Sequence, residues 1–162
     1  GYKPGGLSAT GGRTHAKSCS LAIDRDGALY LAWIEASFEG ENALDVQAFK
    51  STDHQNWTRM GSAVSSFDGH TSTSYPEIQV SVQGQITLSW SEFSWLKEGF
   101  SHLQSSLWAE GAWHQITPRY GLNWDQDSSL QSKFATDHKG RLLGIYESST
   151  FSSMTVRRNN AQ

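Results

Sequence analysis

A single cysteine, Cys19, stands in the 162 residues, so no intrachain disulfide and no thiolate metal cage can form. The redox compartment is left open by the same count. No apolar run approaches the ~18 residues of a membrane-spanning helix. Charge of one sign is missing too: 16 acidic and 13 basic residues, spread along the chain, give a net charge of -3. Nothing in that balance marks a nucleic-acid or membrane surface. Alanine-leucine-glutamate-lysine runs are absent, and no window of about 11 residues keeps a 3.6-residue apolar period. Helix content is therefore expected to be close to nil. What is present is glycine (15), serine and tryptophan (seven), the mixture of short strands joined by tight turns. The length fits one domain, which would bury roughly 70% of its extended surface. A start at Gly1-Tyr2 fits a removed leader or tag, or an excerpt of a longer chain.

The chain repeats. Ile23 to Glu35 reads I-D-R-D-G-A-L-Y-L-A-W-I-E, Val80 to Glu92 reads V-S-V-Q-G-Q-I-T-L-S-W-S-E, and Thr136 to Glu147 reads T-D-H-K-G-R-L-L-G-I-Y-E. Gly27, Gly84 and Gly140 fall 57 and 56 residues apart, and each precedes a large aromatic by six residues: Trp33, Trp90 and Tyr146. Glycine reaches positive φ at little cost, so each copy reads as a hairpin. Leu29, Leu31 and Trp33 share one face of the longer strand; Tyr30, Ala32 and Ile34 share the other. Two apolar faces demand cover on both sides. Strands further out keep the period, since Asp45 and His102, and Trp57 and Trp113, lie 57 and 56 apart.

Four antiparallel strands per repeat, stacked through both faces, describe β-propeller blades. The expected fold is all-β, with an N-terminal arm over 1–18 and three blades over about 19–61, 75–117 and 130–162. The third repeat shows no fourth strand. Residues 2–6 can be laid on 57–61 at a similar offset, so the arm reads either as the closing strand of that blade or as a tail. Propellers usually have about 4–8 blades, which leads us to expect a homo-oligomer, most simply a dimer with six blades, or one part of a longer ring.

Ser51-Thr52-Asp53-His54-Gln55-Asn56-Trp57 resembles the Asp-box of sialidase-type (BNR repeat) propellers, S-x-D-x-G-x-x-W, one residue short and without the glycine. The resemblance implies that Ser51, Asp53 and Trp57 are structural: the carboxylate holds backbone N–H groups of a turn and the indole packs between blades. Trp108-Ala-Glu-Gly-Ala-Trp113 looks like a degenerate copy. A sialidase also implies three arginines for the substrate carboxylate, a Tyr-Glu nucleophile pair and an Asp acid. Arg13, Arg25, Arg59, Arg119, Arg141, Arg157 and Arg158 include none in the family's R-I-P setting, and neighbours Tyr146 and Glu147 on a strand point to opposite faces. The reading that follows is non-catalytic, with no catalytic residue named and a lean toward an extracellular protein.

Several other groups invite chemistry. Asp24 and Asp26, and Asp125 and Asp127, are fragments of a calcium loop without the bidentate acid that completes one. The six histidines show no metal spacing, and His54 and His138 fall in turns where solvated side chains are expected. No G-x-S-x-G elbow and no phosphate cradle is present. No metal or cofactor is expected. Trp95 and Trp124 do not recur with the repeat and sit in loops beside Tyr75 and Tyr120. Aromatic faces stack on sugar rings, and Glu92, Asn123 and Asp125 offer partners for hydroxyls. These residues are the candidate glycan site; the competing reading packs them on a neighbouring blade or partner chain. The expected function is lectin-like recognition by an oligomer. A sialidase-like glycoside hydrolase and a purely structural module are the alternatives.

Overall fold

The computed structural model describes residues 7, 16–36, 44–64, 71–94, 101–116, 129–136, 142–148 and 154–158. They form an all-β molecule of eleven strands in three successive antiparallel blades, with no helix among the described residues. The first blade holds β1 (Ala16–Ile23), β2 (Leu29–Ala36), β3 (Leu44–Ser51) and the two-residue β4 (Thr58–Arg59). The second holds β5 (Thr71–Val80), β6 (Ile86–Ser94), β7 (Ser101–Ala109) and β8 (Ala112–Gln115). The third shows β9 (Ser129–Thr136), β10 (Leu142–Ser148) and β11 (Met154–Arg158). Strand β1 thus begins inside the stretch read as an arm, because Ala16 and Lys17 already pair with Glu35 and Ile34. Likewise β5 starts at Thr71 rather than 75, paired with Ser94. The arm's proposed closing segment, 2–6, lies outside the described residues.

The first two blades open with the same hairpin. Asp24 N–H donates to the Ala28 carbonyl (3.0 Å) and Gly27 N–H to the Asp24 carbonyl (3.1 Å), with Gly27 at φ 84°. Ser81, Gly84 and Gln85 repeat that arrangement, with Gly84 at φ 81°. A side chain locks each turn. The Asp24 carboxylate accepts from Asp26 N–H (3.0 Å), Ala28 N–H (2.8 Å) and Tyr30 O–H (2.8 Å); Ser81 Oγ accepts from Gln83 N–H and Gln85 N–H. With its oxygens turned inward to the turn, Asp24 braces a hairpin. Among the described residues no cluster of His, Cys, Asp or Glu could hold a metal ion.

The turn between β3 and β4 is locked the same way. Asp53 Oδ1 accepts from Asn56 N–H (2.7 Å), Gln55 N–H (2.9 Å) and Ser51 O–H (3.2 Å), and Oδ2 accepts from Asn56 Nδ2 (2.6 Å). Those donors, the Asn56 and Gln55 amides foremost, hold its carboxyl well below the ordinary value of 3.8. His54, expected to be merely solvated, bonds the Gly27 carbonyl at 2.8 Å and ties the two turns of the blade together. The turn from β7 to β8 differs from the degenerate box read in the sequence. Glu110 and Gly111 both take left-handed φ (53° and 78°) between paired Ala109 and Ala112, a two-residue hairpin with no room for a box. A carboxyl whose folded pKa is depressed stabilises the fold above its unfolded value and loses that contribution as pH falls. Stability should therefore drop as pH passes below 3.8, and Asp53→Asn should flatten that part of the profile. Thermal melts from neutral to acid pH measure this.

The blades pack face to face. Tyr30, Ala32, Val46 and Ala48 of the first blade meet Ile78, Ile86, Leu88 and Trp90 of the second in one buried cluster. Small residues on one side admit the indole on the other. Trp113 adds a cross-blade bond from its indole N–H to the Met60 carbonyl (2.8 Å), with Trp108 edge-on to it at 5.1 Å. Among the described residues, backbone pairing between these two blades is confined to one parallel pair, Leu44 with Ser72. Contact between successive blades is densest at the first strands, β1 on β5 and β5 on β9, so the blades converge there. The first strands are the inner, axial ones.

Candidate functional site on the inner strands

Both described inner strands of the first two blades carry a β-bulge at the same place. On β1, pairing jumps from Lys17 with Ile34 to Ser20 with Ala32, leaving Ser18 and Cys19 opposite Trp33 alone. On β5 it jumps from Ser74 with Ser91 to Glu77 with Ser89, leaving Tyr75 and Pro76 opposite Trp90. Ser18 and Tyr75, 57 residues apart, take left-handed φ of 55° and 51°. For a bulky residue such as tyrosine this conformation costs about 1–3 kcal/mol, and its persistence at a repeated position marks a constrained feature. A bulge re-aims side chains. Here it leaves Tyr75 48% exposed on the inner strand while Pro76 is buried. Ser18 and Cys19 are exposed on the neighbouring strand. The two bulges are joined, since Ile78 N–H donates to Ser20 Oγ at 3.2 Å.

Behind each bulge lies a row of braced side chains. Trp33 is buried, stacks on Phe49 (4.8 Å) and donates its indole N–H to Glu35 Oε2 at 2.9 Å. Trp90 repeats this with Glu92 Oε2 at 2.9 Å. Residues i and i+2 share a face of a strand, so W-x-E places donor beside acceptor. On the third strands, Gln47 and Gln104 stand opposite Trp33 and Trp90. Both glutamines are buried, and they bond to the fourth strands: Arg59 Nη2 donates to Gln47 Oε1 (2.7 Å), and Gln115 Nε2 to Gln104 Oε1 (2.9 Å). A polar and aromatic crossbar thus runs through each of the first two blades at the level of its bulge. Both Trp-x-Glu pairs are buried.

Two of the ligand-binding candidates singled out in the sequence, Tyr75 and Glu92, fall among the described residues. Tyr75 lies exposed beside the bulge. Glu92, placed among the hydroxyl-binding candidates, is fully buried and braces Trp90 instead; an acid on a strand with a tryptophan two residues before it has a donor at hand. Trp95, Tyr120, Asn123, Trp124 and Asp125 lie outside the described residues, so Tyr75 and Glu92 are not shown to join them. Ser51 is buried, Asp53 exposed and Trp57 half-buried, all at the turn far along β3 from its Leu44 end. Sequence reasoning missed the bulges and the buried glutamines. The 57-residue spacing of Gln47 and Gln104 was the available signal. A separate pocket of about 400 Å³ opens between the outer parts of the two blades, lined by Gly61, Val64, Trp90, Gly111, Trp113 and Gln115.

This geometry defines a β-propeller architecture, and solved propellers match it. No protein-family model matches the chain, and no curated protein matches it either. The endo-arabinase from Bacteroides thetaiotaomicron superposes with a TM-score of 0.57 at 20% identity, covering 91% of this chain and 57% of that one. A Hadza microbial sialidase gives 0.64 at 12% identity, over 95% and 32%. An exo-β-1,3-galactanase from Clostridium thermocellum gives 0.60 at 15% identity, over 95% and 36%. The chain spans about a third to three fifths of the length of these structures. The likeness is one of fold, and it extends to arabinase and galactanase propellers as well as to a sialidase.

Proposed function

We propose that this chain is a section of a carbohydrate-active propeller of the glycoside-hydrolase kind, which holds a glycan against the inner ends of its blades. The observation that carries the reading is the bulge repeated at Ser18 and Tyr75, which keeps a strained tyrosine exposed on the axial strand. A phenol ring there can stack on a sugar, and Glu77, half-buried two residues on, can accept a hydroxyl. The arabinase, galactanase and sialidase matches support the ligand class. Hydrolysis of a glycosidic bond ordinarily takes two carboxyl groups. On β1, β5 and β9, Glu77 is the one acid, so catalysis by this section would draw its second acid from elsewhere. That shortage favours a second reading, non-catalytic recognition by an assembly of chains, with Trp95, Tyr120, Asn123, Trp124 and Asp125 as further contacts.

A glycan array followed by titration of the best binder tests both readings. Tyr75→Ala should weaken binding about tenfold, equal to ~1.4 kcal/mol, while Tyr75→Phe retains it. Turnover of a fluorogenic arabinoside, galactoside or sialoside separates hydrolase from lectin. Absence of any binding would leave the module a structural one and sink both.

A further inference from the structure

The face of the second blade that meets the first has a counterpart on the first blade; its end beside the turn is open, while Trp33, the equivalent of Trp90, is buried. In the second blade, Ile78, Ile86 and Leu88 are buried at 2%, 8% and 0% exposure, with Val80 packed against the same cluster. The equivalent positions in the first blade, 57 residues earlier, are Leu21, Ile23, Leu29 and Leu31. Cross-strand pairing of Leu21 with Leu31 and Ile23 with Leu29 sets all four on one face. Leu21 and Ile23 are 62% and 61% exposed. In the second blade this face is covered by a blade surface made of Tyr30, Ala32, Val46 and Ala48.

The third blade repeats the register of the first at the other end of the chain. Leu143 and Ile145 follow Gly140 by three and five residues, as Tyr30 and Ala32 follow Gly27, so they occupy the same register positions on β10. We propose that the open face of the first blade docks a second copy of this chain, its third blade seated there as the first blade sits on the second. The contact is head-to-tail, and two such contacts around a two-fold axis close a ring. Each copy then completes the axial wall that β1, β5 and β9 begin. The proposal stands independently of the ligand, because it rests on packing alone.

The test is the mass in solution of the 162-residue chain, by light scattering at micromolar concentrations. The wild type should be a dimer. Leu21→Glu combined with Ile23→Glu should weaken association ~100-fold or more, the scale of burying an unpaired carboxylate. Both side chains are exposed in the single chain, so circular dichroism should show the fold retained. Val82→Glu, at an equally exposed apolar residue (68%) beside a turn, should leave the dimer intact. Leu143→Glu should also give monomers, and mixing it with the Leu21/Ile23 variant should restore one of the two contacts and hence a weak dimer. A monomeric wild type, or a Leu21/Ile23 variant that still dimerises, overturns the proposal. A Leu143→Glu variant that dimerises alone, or open filaments, overturns the closed head-to-tail ring.

Discussion

Replacing Trp90 by alanine should destabilise the chain by about 3–5 kcal/mol, the usual cost of emptying a buried aromatic site. The side chain is 1% exposed and fills the space left by Ala32, Ala48 and Val46 across the blade interface. Its loss also strips Glu92 of the indole donor at 2.9 Å, inside a fully buried setting. Trp90→Phe separates the two terms. Phenylalanine keeps most of the volume, so its cost should be the lost indole-to-carboxylate hydrogen bond, ~1.5–3 kcal/mol. Urea unfolding of the two variants measures the difference. Equal costs for Ala and Phe would place the whole effect in the hydrogen bond.

Leu88→Ala should cost about 2–5 kcal/mol, while Leu31→Ala, its counterpart one repeat earlier, should cost less at low protein concentration. The side chains are chemically the same and the strand positions are equivalent; only the cover differs. Leu88 is fully buried against the first blade, and Leu31 is half-buried on that blade's open face. Transfer free energy follows the area removed from water, so the ratio of the two costs reads the missing cover directly. Unfolding each variant by denaturant at dilute concentration supplies the comparison.

The blades were legible in the sequence because the turn between their first two strands needs a glycine. Gly27 and Gly84 adopt φ of 84° and 81°, a conformation that keeps glycine in place and so prints the period. The alternation around Leu29 to Ile34 and Ile86 to Trp90 then fixed which residues share a face, and the packing cluster follows that division. The bulges were not legible. A bulge inserts one residue in the alternation, and K-S-C-S and S-Y-P-E are too short and too polar for the slip to show. Glu92 was read as a partner for sugar hydroxyls, because a carboxylate near loop aromatics can accept them. Its own partner was two residues away, in the indole of Trp90, and the same pair at Trp33 and Glu35 repeats it. Trp95, Tyr120, Asn123, Trp124 and Asp125 of the proposed glycan site lie outside the described residues.

That Leu44 with Ser72 is the one backbone pair between the first two blades among the described residues bears on how such molecules change over time. Within a blade, strands share a hydrogen-bonded ladder, and removing one strand orphans a row of amides. Between blades the junction is made of side chains, one bridge and the Trp113 bond to Met60. A whole blade can be copied, deleted or exchanged as a cassette at the loss of one pair of strand residues, provided its leading face finds leucines and an indole and its trailing face offers small residues to receive them.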